Sequence, residues 1–474
     1  MSADGPMRGL LAPLGTLGRP AWAVGGGVRD ALLGRPVADL DLAVEGDAAP
    51  AAAQLARAHG AGRFRLSRGF GAWRVQGGDL GMTVDITPVQ GAGIADDLER
   101  RDLTVNALAV PLDAPDEVID LHGGLDDLAG RRLRLVSPGA LRDDPVRLLR
   151  TARLAEQLGF AIAPETVSRA REDAPTVWST AGERLADELG RIAALPAPHR
   201  AFSRMDELGV LGALVPQLEE SRGLEQSPYH HKDVLGHTLE VVEHVAVISA
   251  DPEPVFRSRA PRVAAALAEP LADELTRGQA LVLGALLHDM AKPATRGVTP
   301  EGRITFFGHD RLGAEMADDL LRRLRVSTRL REQVVRLVRL HLPLGFLVHR
   351  TPLSLRQIDR YLRGTAPAEI EVIVLSVADR LATRGPRTTE SSIARHLALA
   401  REMMDAHLAL VDRGPARPLV AGDELAEVLG RPPGPWLSQL LDALREEQLV
   451  GAVRSRPQAL AFARRWAARF PSNA

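Results

Sequence analysis

Two aspartates, Asp39 and Asp41, stand one residue apart in the run DLDLAV, a short distance after three consecutive glycines, Gly25, Gly26 and Gly27. In a strand alternate side chains share one face, so this spacing predicts both carboxylates in a cleft and Leu40 in the core. Glycines let backbone N–H groups approach phosphates, and Mg²⁺ takes carboxylate and phosphate oxygens. An Asp-x-Asp pair alone is most often a pair of solvated loop acids, and a glycine turn alone is weak. Joined at this spacing they predict magnesium-dependent transfer of a nucleotide from a nucleoside triphosphate. A second constellation lies far downstream: His237, then His288-Asp289 closing LVLGALLHDMAK, then Asp379 in LSVADRLATRG. Imidazole and carboxylate ligands on packed helices can hold a divalent ion and activate water at a phosphate.

The elements that must position these groups divide the chain into four. Residues 1–135 mix short β-rich runs (AWAVGG, DLDLAV, GMTVDITPV, LTVNALAV, LRLV) with helices, as an α/β head would. Residues 136–222 turn helical, with apolar residues at three- and four-residue intervals in RLLRTARLAEQLGF and ERLADELGRIAAL. Residues 223–390 carry eight of the thirteen histidines, again on helical segments. Residues 391–474 begin with a helix, break at RGPARP and RPPGPW, and end in arginine-rich helices. The fold class predicted is α+β, a mixed-sheet head followed by helical regions.

Length and composition agree with this division. A chain of 474 residues predicts several domains, each able to bury a core. With 59 basic and 61 acidic residues there is no global basic field, so a nucleic-acid surface must be a local patch. Lys232 and Lys292 are the only lysines; the remaining cations are arginines, suited to bidentate phosphate contacts or reflecting a GC-rich genome. Without cysteine there is no disulfide and no thiolate metal site. No basic-plus-apolar leader and no long apolar run is present, so a cytoplasmic protein with no membrane association is expected.

Gly25, Gly26, Val28, Arg29, Asp30, Leu33, Gly34, Asp39 and Asp41 fall where a known first motif has them. Arg100-Arg101-Asp102, inside LERRDLTVNALAV, follows in order, then Asp120, Gly123-Gly124 and Asp127-Leu128, then Asp143-Asp144-Pro145-Val146-Arg147. This series resembles the class II tRNA nucleotidyltransferase/poly(A) polymerase family of the DNA polymerase β superfamily, over nearly the whole chain. The resemblance implies a polymerase-β-like head, an all-α neck that reads the nucleotide base, a helical HD domain and a helical tail. It implies tRNA and CTP, and in some members ATP, as partners.

Within that resemblance, Asp39 and Asp41 hold Mg²⁺ at the head. Asp85, in TVDITPV, is the candidate third carboxylate; its alternative is an ordinary strand-edge acid. Gly26, Gly27, Arg29, Arg101, Asp102 and Asn106 are the candidate ribose and triphosphate contacts. Asp144 and Arg147, three apart at a helix start, share a face. A carboxylate accepts from the cytosine N4 amine while a guanidinium donates to N3 and O2, and a small shift serves adenine. Their alternative is a surface ion pair. Arg150 and Arg153 continue the stripe toward the triphosphate. The family usually has Glu before the Asp; here Asp143 is one methylene shorter, weakening any support it lends the arginine.

Family members that build all of CCA carry a flexible stretch between the third-carboxylate strand and the Arg-Arg-Asp block. Here Thr87-Pro88-Val89-Gln90 is followed by Gly91-Ala92-Gly93-Ile94 and then ADDLERRD, so only a tight turn fits. Members without the stretch resemble CC-adding enzymes, which leave the terminal A to a separate A-adding enzyme in the same cell. A CC-adding enzyme is therefore the expectation, against a full CCA-adding enzyme or a poly(A) polymerase. His237, His288, Asp289 and Asp379, in that order, resemble the HD phosphohydrolase superfamily, and His309 and His341 match the extra ligands of its two-metal versions. A divalent transition metal (Mn²⁺, Ni²⁺ or Fe²⁺) is expected there, hydrolytic or structural. A rival of another class is an HD phosphohydrolase whose head merely binds RNA. In the tail, Arg454, Arg456, Arg464, Arg465 and Arg469 are candidate tRNA phosphate contacts or a solvated helix face.

Overall fold

The computed structural model describes residues 6–15, 17–66, 71–414 and 418–469. The chain falls into two compact units, Met1–Pro216 and Gln217–Ala474. Among the described residues no helix is long and apolar enough to cross a membrane.

The first unit is built on a seven-stranded sheet of β1 (Ala21–Val24), β2 (Asp39–Val44), β3 (Gly62–Arg65), β4 (Trp73–Gln76), β5 (Thr83–Pro88), β6 (Leu108–Pro111) and β7 (Ile119–Asp120), in the order β3-β4-β5-β2-β1-β6-β7. Only β2 and β5 run parallel; every other neighbouring pair is antiparallel. The mixed sheet agrees with the sequence reading, which did not find β3 or β4: GRFR is exposed along its whole length and shows no alternation.

The period of two along β2 sets the two faces. Leu40, Leu42 and Val44 join a large core with Val28 and Ala31 of α1 (Gly26–Leu32) and with Ala48, Ala51, Ala52 and Leu55 of α2 (Ala48–Ala58). Asp47 starts α2 by accepting from the backbone N–H of Ala49 at 3.0 Å. The other face carries Asp39, Asp41 and Ala43. Ala43 packs with Val24, Ala107, Ala109 and Leu98 of α3 (Ile94–Glu99), so α3 covers half of that face and the aspartates keep the open half. Two further helices complete the site, α4 (Val146–Leu158) and α5 (Gly182–Ala193). The short strand Arg132–Leu133 pairs in parallel with Ala161–Ile162 just after α4, tying these helices to the head.

The second unit is helical. Around its centre stand α6 (Val234–Ala250), α7 (Arg277–Leu287), α8 (His309–Arg323), α9 (Thr328–Leu340), α10 (Glu369–Leu381) and α11 (Glu390–Arg413). Starts are fixed locally: Asp233 caps α6, Thr276 and Gln279 form a capping box on α7, and Ser327 caps α9. The tail forms α12 (Gly422–Leu429), α13 (Pro435–Leu449) and α14 (Arg456–Arg469), with a small core of Leu425, Leu440, Leu444, Val453, Ala459 and Ala463.

Candidate functional sites

On the open half of the sheet, the register sets Asp41 directly beside Asp85, Asp39 beside Thr83, and Arg74 of β4 beside Asp85. Asp39, Asp41, Asp85 and Arg74 therefore share one face, while Leu40 between the aspartates is 1% exposed. Arg74 grips Asp85 bidentately, Nε to Oδ1 at 2.7 Å and Nη2 to Oδ2 at 2.8 Å. Arg74 escaped the sequence reading because β4 did. The Asp41 carboxyl is raised above its ordinary pKa: the cleft walls limit its hydration, and Asp85 and Asp39 add like charge against the opposing pull of Arg101. Hard carboxylate oxygens are what Mg²⁺ takes, so Asp39 and Asp41 fit the expected ion, while both oxygens of Asp85 are held by Arg74.

The glycine turn is required by close approach. Gly25 has φ +76°, and a Cβ there would lie 2.9 Å from Arg101 Nη1 and 3.2 Å from Asp41 Oδ2. A Cβ on Gly27 would lie 2.7 Å from Leu40 Cδ1 and 3.2 Å from the carbonyl of Asp39. The turn thus seats directly on the strand bearing the carboxylates and brings Arg101 to the cleft. Arg101 is held by Asp97, Nη2 to Oδ2 at 2.9 Å.

Arg29, Asp102, Asn106, Arg150 and Arg153 lie in one largely buried polar network. Arg29 forks onto Asp30 and donates to Asn106 Oδ1 at 2.6 Å. Asn106 donates to Asp102 Oδ1 at 2.9 Å, and Arg150 reaches Asp102 Oδ2 at 3.3 Å. Arg150 and Arg153 then converge on Glu188 of α5, at 3.1 and 2.7 Å. Burial raises the Asp102 carboxyl, but Arg150 and hydrogen bonds from Asn106 and Leu103 reverse this and hold it below the ordinary range. Glu188 was missed, yet its signal was present: it replaces an apolar residue in the Leu185, Leu189, Ile192 stripe. Asp120 and Asp127 serve structure. Asp120 accepts from the backbone N–H groups of Gly124 and Leu125, and buried Asp127 accepts from Thr104, Arg132 and Arg134.

Asp144 and Arg147 stand side by side at the start of α4, 3.9 Å apart at Oδ2 and Nε. Each is otherwise engaged. Arg184 of α5 forks onto Asp144 at 2.8 and 2.7 Å, and Arg147 donates to the carbonyls of Arg100 (2.6 Å) and Ala140 (2.9 Å). Arg184 too was missed. Between β5 and α3 the chain turns within residues 89–93. Gln90 N–H donates to Asp97 Oδ1 at 3.1 Å and Ala92 N–H to Asp96 Oδ2 at 2.7 Å.

In the helical unit, His237 of α6, His288 and Asp289 beyond the end of α7, His309 starting α8, His341 ending α9 and Asp379 of α10 converge. Two triads share Asp289: His237, His288 and Asp289, and Asp289, His309 and His341. Asp289 Oδ2 lies 3.0 Å from His288 Nε2 and Oδ1 lies 3.3 Å from His309 Nε2, while His237 Nε2 lies 3.0 Å from Asp379 Oδ1. The Nδ1 atoms of His288, His309 and His341 each bond a backbone carbonyl (Ala285, Phe306, Val338) at 2.7 Å. Donation there leaves Nε2 as a lone pair facing inward, the arrangement a metal-binding histidine needs. Burial and the charge of His288 push His341 down to about 3, so it is neutral near pH 7. Burial opposes ionisation of Asp289, but His288 and Lys292 outweigh it and keep the carboxyl well below the ordinary range. Burial lowers the His288 imidazole, but Asp289 outweighs it and raises it, so a metal there would displace a proton; neutral His341 and ionised Asp289 are already ligand forms, and the residues fit divalent metal. Lys292, 2.6 Å from Asp289, and His230, packed edge-on to His237, were not anticipated.

In the tail, Arg464, Arg465 and Arg469 are exposed on α14. Arg454 donates to the carbonyl of Gly451 at 2.7 Å, and Arg456 pairs with Glu424.

Comparison with known proteins matches these parts in order. The poly A polymerase head domain matches residues 21–134, the probable RNA and SrmB-binding site of polymerase A residues 159–221, and the HD domain residues 234–384. The chain is 34% identical over 458 residues to the A-adding tRNA nucleotidyltransferase of Deinococcus radiodurans, covering 95% of this chain and 96% of that one. It is 33% identical over 455 residues to the CC-adding tRNA nucleotidyltransferase of Thermus thermophilus, covering 94% of each. A solved CCA-adding enzyme in its apo form shares the fold at TM-score 0.64 and 20% identity, over 97% of this chain and 94% of its own. With a three-carboxylate head, a helical neck and an HD cluster in one chain, and full-length identity of this order, the protein belongs to the class II tRNA nucleotidyltransferase family and is a tRNA nucleotidyltransferase with an HD domain.

Proposed function

We propose that this enzyme adds two cytidines from CTP to the tRNA 3′ end and stops at CC. The observation that carries the reading is the turn at residues 89–93, clamped by Asp96 and Asp97. Gly91, at φ +86°, packs so closely that a Cβ would lie 2.5 Å from that of Asp96, so the segment is short and also stiff. It offers no mobile chain with which to rebuild the base pocket for ATP. Relatives of both specificities stand at nearly equal identity, so identity does not choose between them, and the short, stiff turn is what supports CC addition. A separate A-adding enzyme then completes the tRNA.

Asp39 and Asp41, joined by Asp85 once it exchanges Arg74, would hold Mg²⁺, which would supply Lewis-acid chemistry: a lowered pKa for the tRNA 3′-hydroxyl and offset charge on the departing pyrophosphate. The hydroxyl gives up its proton to solvent as it attacks the α-phosphorus, a P–O bond forms, and the α-phosphorus–oxygen bond to the β-phosphate breaks, releasing pyrophosphate. Gly27 seats the turn on the strand, which presents Gly26 to the triphosphate, and Arg101 reaches it from α3's end. Arg29, Asp102, Asn106, Arg150 and Arg153 act beneath the cleft as the network that fixes this geometry. Base reading requires Asp144 to exchange Arg184 for the cytosine N4 amine, and Arg147 to turn from backbone carbonyls to N3 and O2. Arg464, Arg465 and Arg469, exposed on α14, would meet tRNA phosphates.

We further propose that the HD cluster is a phosphohydrolase centre for damaged RNA ends, with Mn²⁺, Ni²⁺ or Fe²⁺ as its metal. Shared Asp289 and inward-facing imidazoles support it. Grafting a long flexible loop at Gln90–Ile94 tests the main reading: the variant should gain A addition on tRNA ending in CC, and continued arrest at CC would remove the turn as the cause.

A further inference from the structure

The cavity beside the HD ligands holds positive charge that metal coordination does not use. Its volume is about 550 Å³, and it is lined by Asp289, His309, His341 and Asp379 and also by Arg380, Arg387 and Arg395. Arg380 follows Asp379 on α10, and Arg395 lies one turn from Ser392 on α11. Arg380 donates to Ser392 Oγ, while its Nε is buried with no hydrogen-bond partner. Among the described residues none of the three arginines forms an ion pair with a carboxylate, whereas neighbouring Arg384 is matched by Glu390 at 2.7 Å. Three converging, unmatched guanidiniums beside a desolvated donor form an anion site, because guanidinium forks fit phosphate oxygens. Phe346, 65% exposed, lines the same cavity and offers a ring face for a base.

We propose that the HD cavity is a two-phosphate nucleotide site. One phosphate lies at the divalent centre, a second on Arg380, Arg387 and Arg395, and the base stacks on Phe346. The ligand class is a nucleotide bearing two phosphates one nucleoside apart, found both at a 3′-phosphorylated RNA end and in a free nucleoside bisphosphate. The assignment names the substrate of the phosphohydrolase centre proposed above and rests on that reading. A mononucleotide would leave the arginines unmatched.

The test is calorimetric titration of the full chain with Mn²⁺, its head saturated with a non-hydrolysable CTP analogue. Adenosine 3′-monophosphate, adenosine 3′,5′-bisphosphate and a 3′-phosphorylated tetraribonucleotide are the probes. The bisphosphate should bind at least about tenfold more tightly than the monophosphate, the scale of charge-assisted hydrogen bonds. The R387A/R395A double variant should lose that advantage while adding CTP to tRNA at the wild-type rate. A tetranucleotide that outbinds the bisphosphate identifies an RNA end as the source; the reverse order identifies the free nucleotide. Equal affinity for mono- and bisphosphate, or an undiminished advantage in the double variant, overturns the proposal. Hydrolysis of p-nitrophenyl phosphate separates the two readings. Release without phosphate discrimination leaves the phosphohydrolase centre and removes the subsite, and discrimination without release does the reverse.

Discussion

Glu188→Gln gives the sharpest structural prediction, because one buried carboxylate holds two arginines. Glu188 is 3% exposed, with Arg153 at 2.7 Å on one oxygen and Arg150 at 3.1 Å on the other. Glutamine preserves the shape, removes the charge, and turns an NH₂ toward one of the guanidiniums. Removing one partner of a buried ion pair costs about 3–5 kcal/mol. Arg150 keeps Asp102 at 3.3 Å, so the lower end applies, about 3 kcal/mol. At about 2–4 °C per kcal/mol for a unit of this size, the N-terminal melting transition should fall by about 6–12 °C. The pH dependence carries a definite sign. Burial raises the Glu188 carboxyl, but Arg153 and Arg150 more than reverse this and lower it. Its contribution is therefore fully present above the unfolded carboxylate pKa and is lost as pH falls through the folded one. The gap between wild type and variant should narrow in acid. Thermal scans of both proteins from neutral to acid pH make the measurement. A loss below about 1 kcal/mol at pH 7, or a gap that does not narrow, would refute the reasoning.

Three further outcomes follow from the same geometry. Gly27→Ala places a methyl 2.7 Å from Leu40 Cδ1 and should cost about 1–3 kcal/mol in chemical denaturation while lowering CTP incorporation. Asp85→Asn should lower kcat by about 10²-fold with partial recovery at raised Mg²⁺, and loss that Mg²⁺ does not relieve would place Asp85 outside the ion site. The paired change His288→Ala and Asp289→Ala should abolish bound transition metal, read by elemental analysis, and phosphate release with it, while CTP addition persists; unchanged release would remove the HD assignment.

What the sequence disclosed was governed by local periodicity. Asp39 and Asp41 emerged from alternation on β2, and the buried Leu40 between them obeys that rule. Asp85 was legible because TVDITPV reads as a strand, although only the parallel register with β2 sets it beside Asp41. The HD ligands were legible from their residue types and order, each lying on or at the end of a helix. Arg74, Arg184 and Glu188 were not, because each acts on a partner remote in the chain: Asp85, Asp144, and Arg150 with Arg153. Such long-range pairs leave no periodic trace beyond an acid set in an apolar stripe, as at Glu188. The engagement of Asp144 by Arg184 was equally hidden, since it requires α4 and α5 to pack together.

The most direct measurement sequences the 3′ ends made by the purified protein with Mg²⁺, CTP and ATP on tRNA ending at the discriminator base and on tRNA ending in CC. The account predicts CC on the first substrate and no added A on the second. A complete CCA, A added to the CC end, or long A tracts would contradict it and release specificity from the clamped turn.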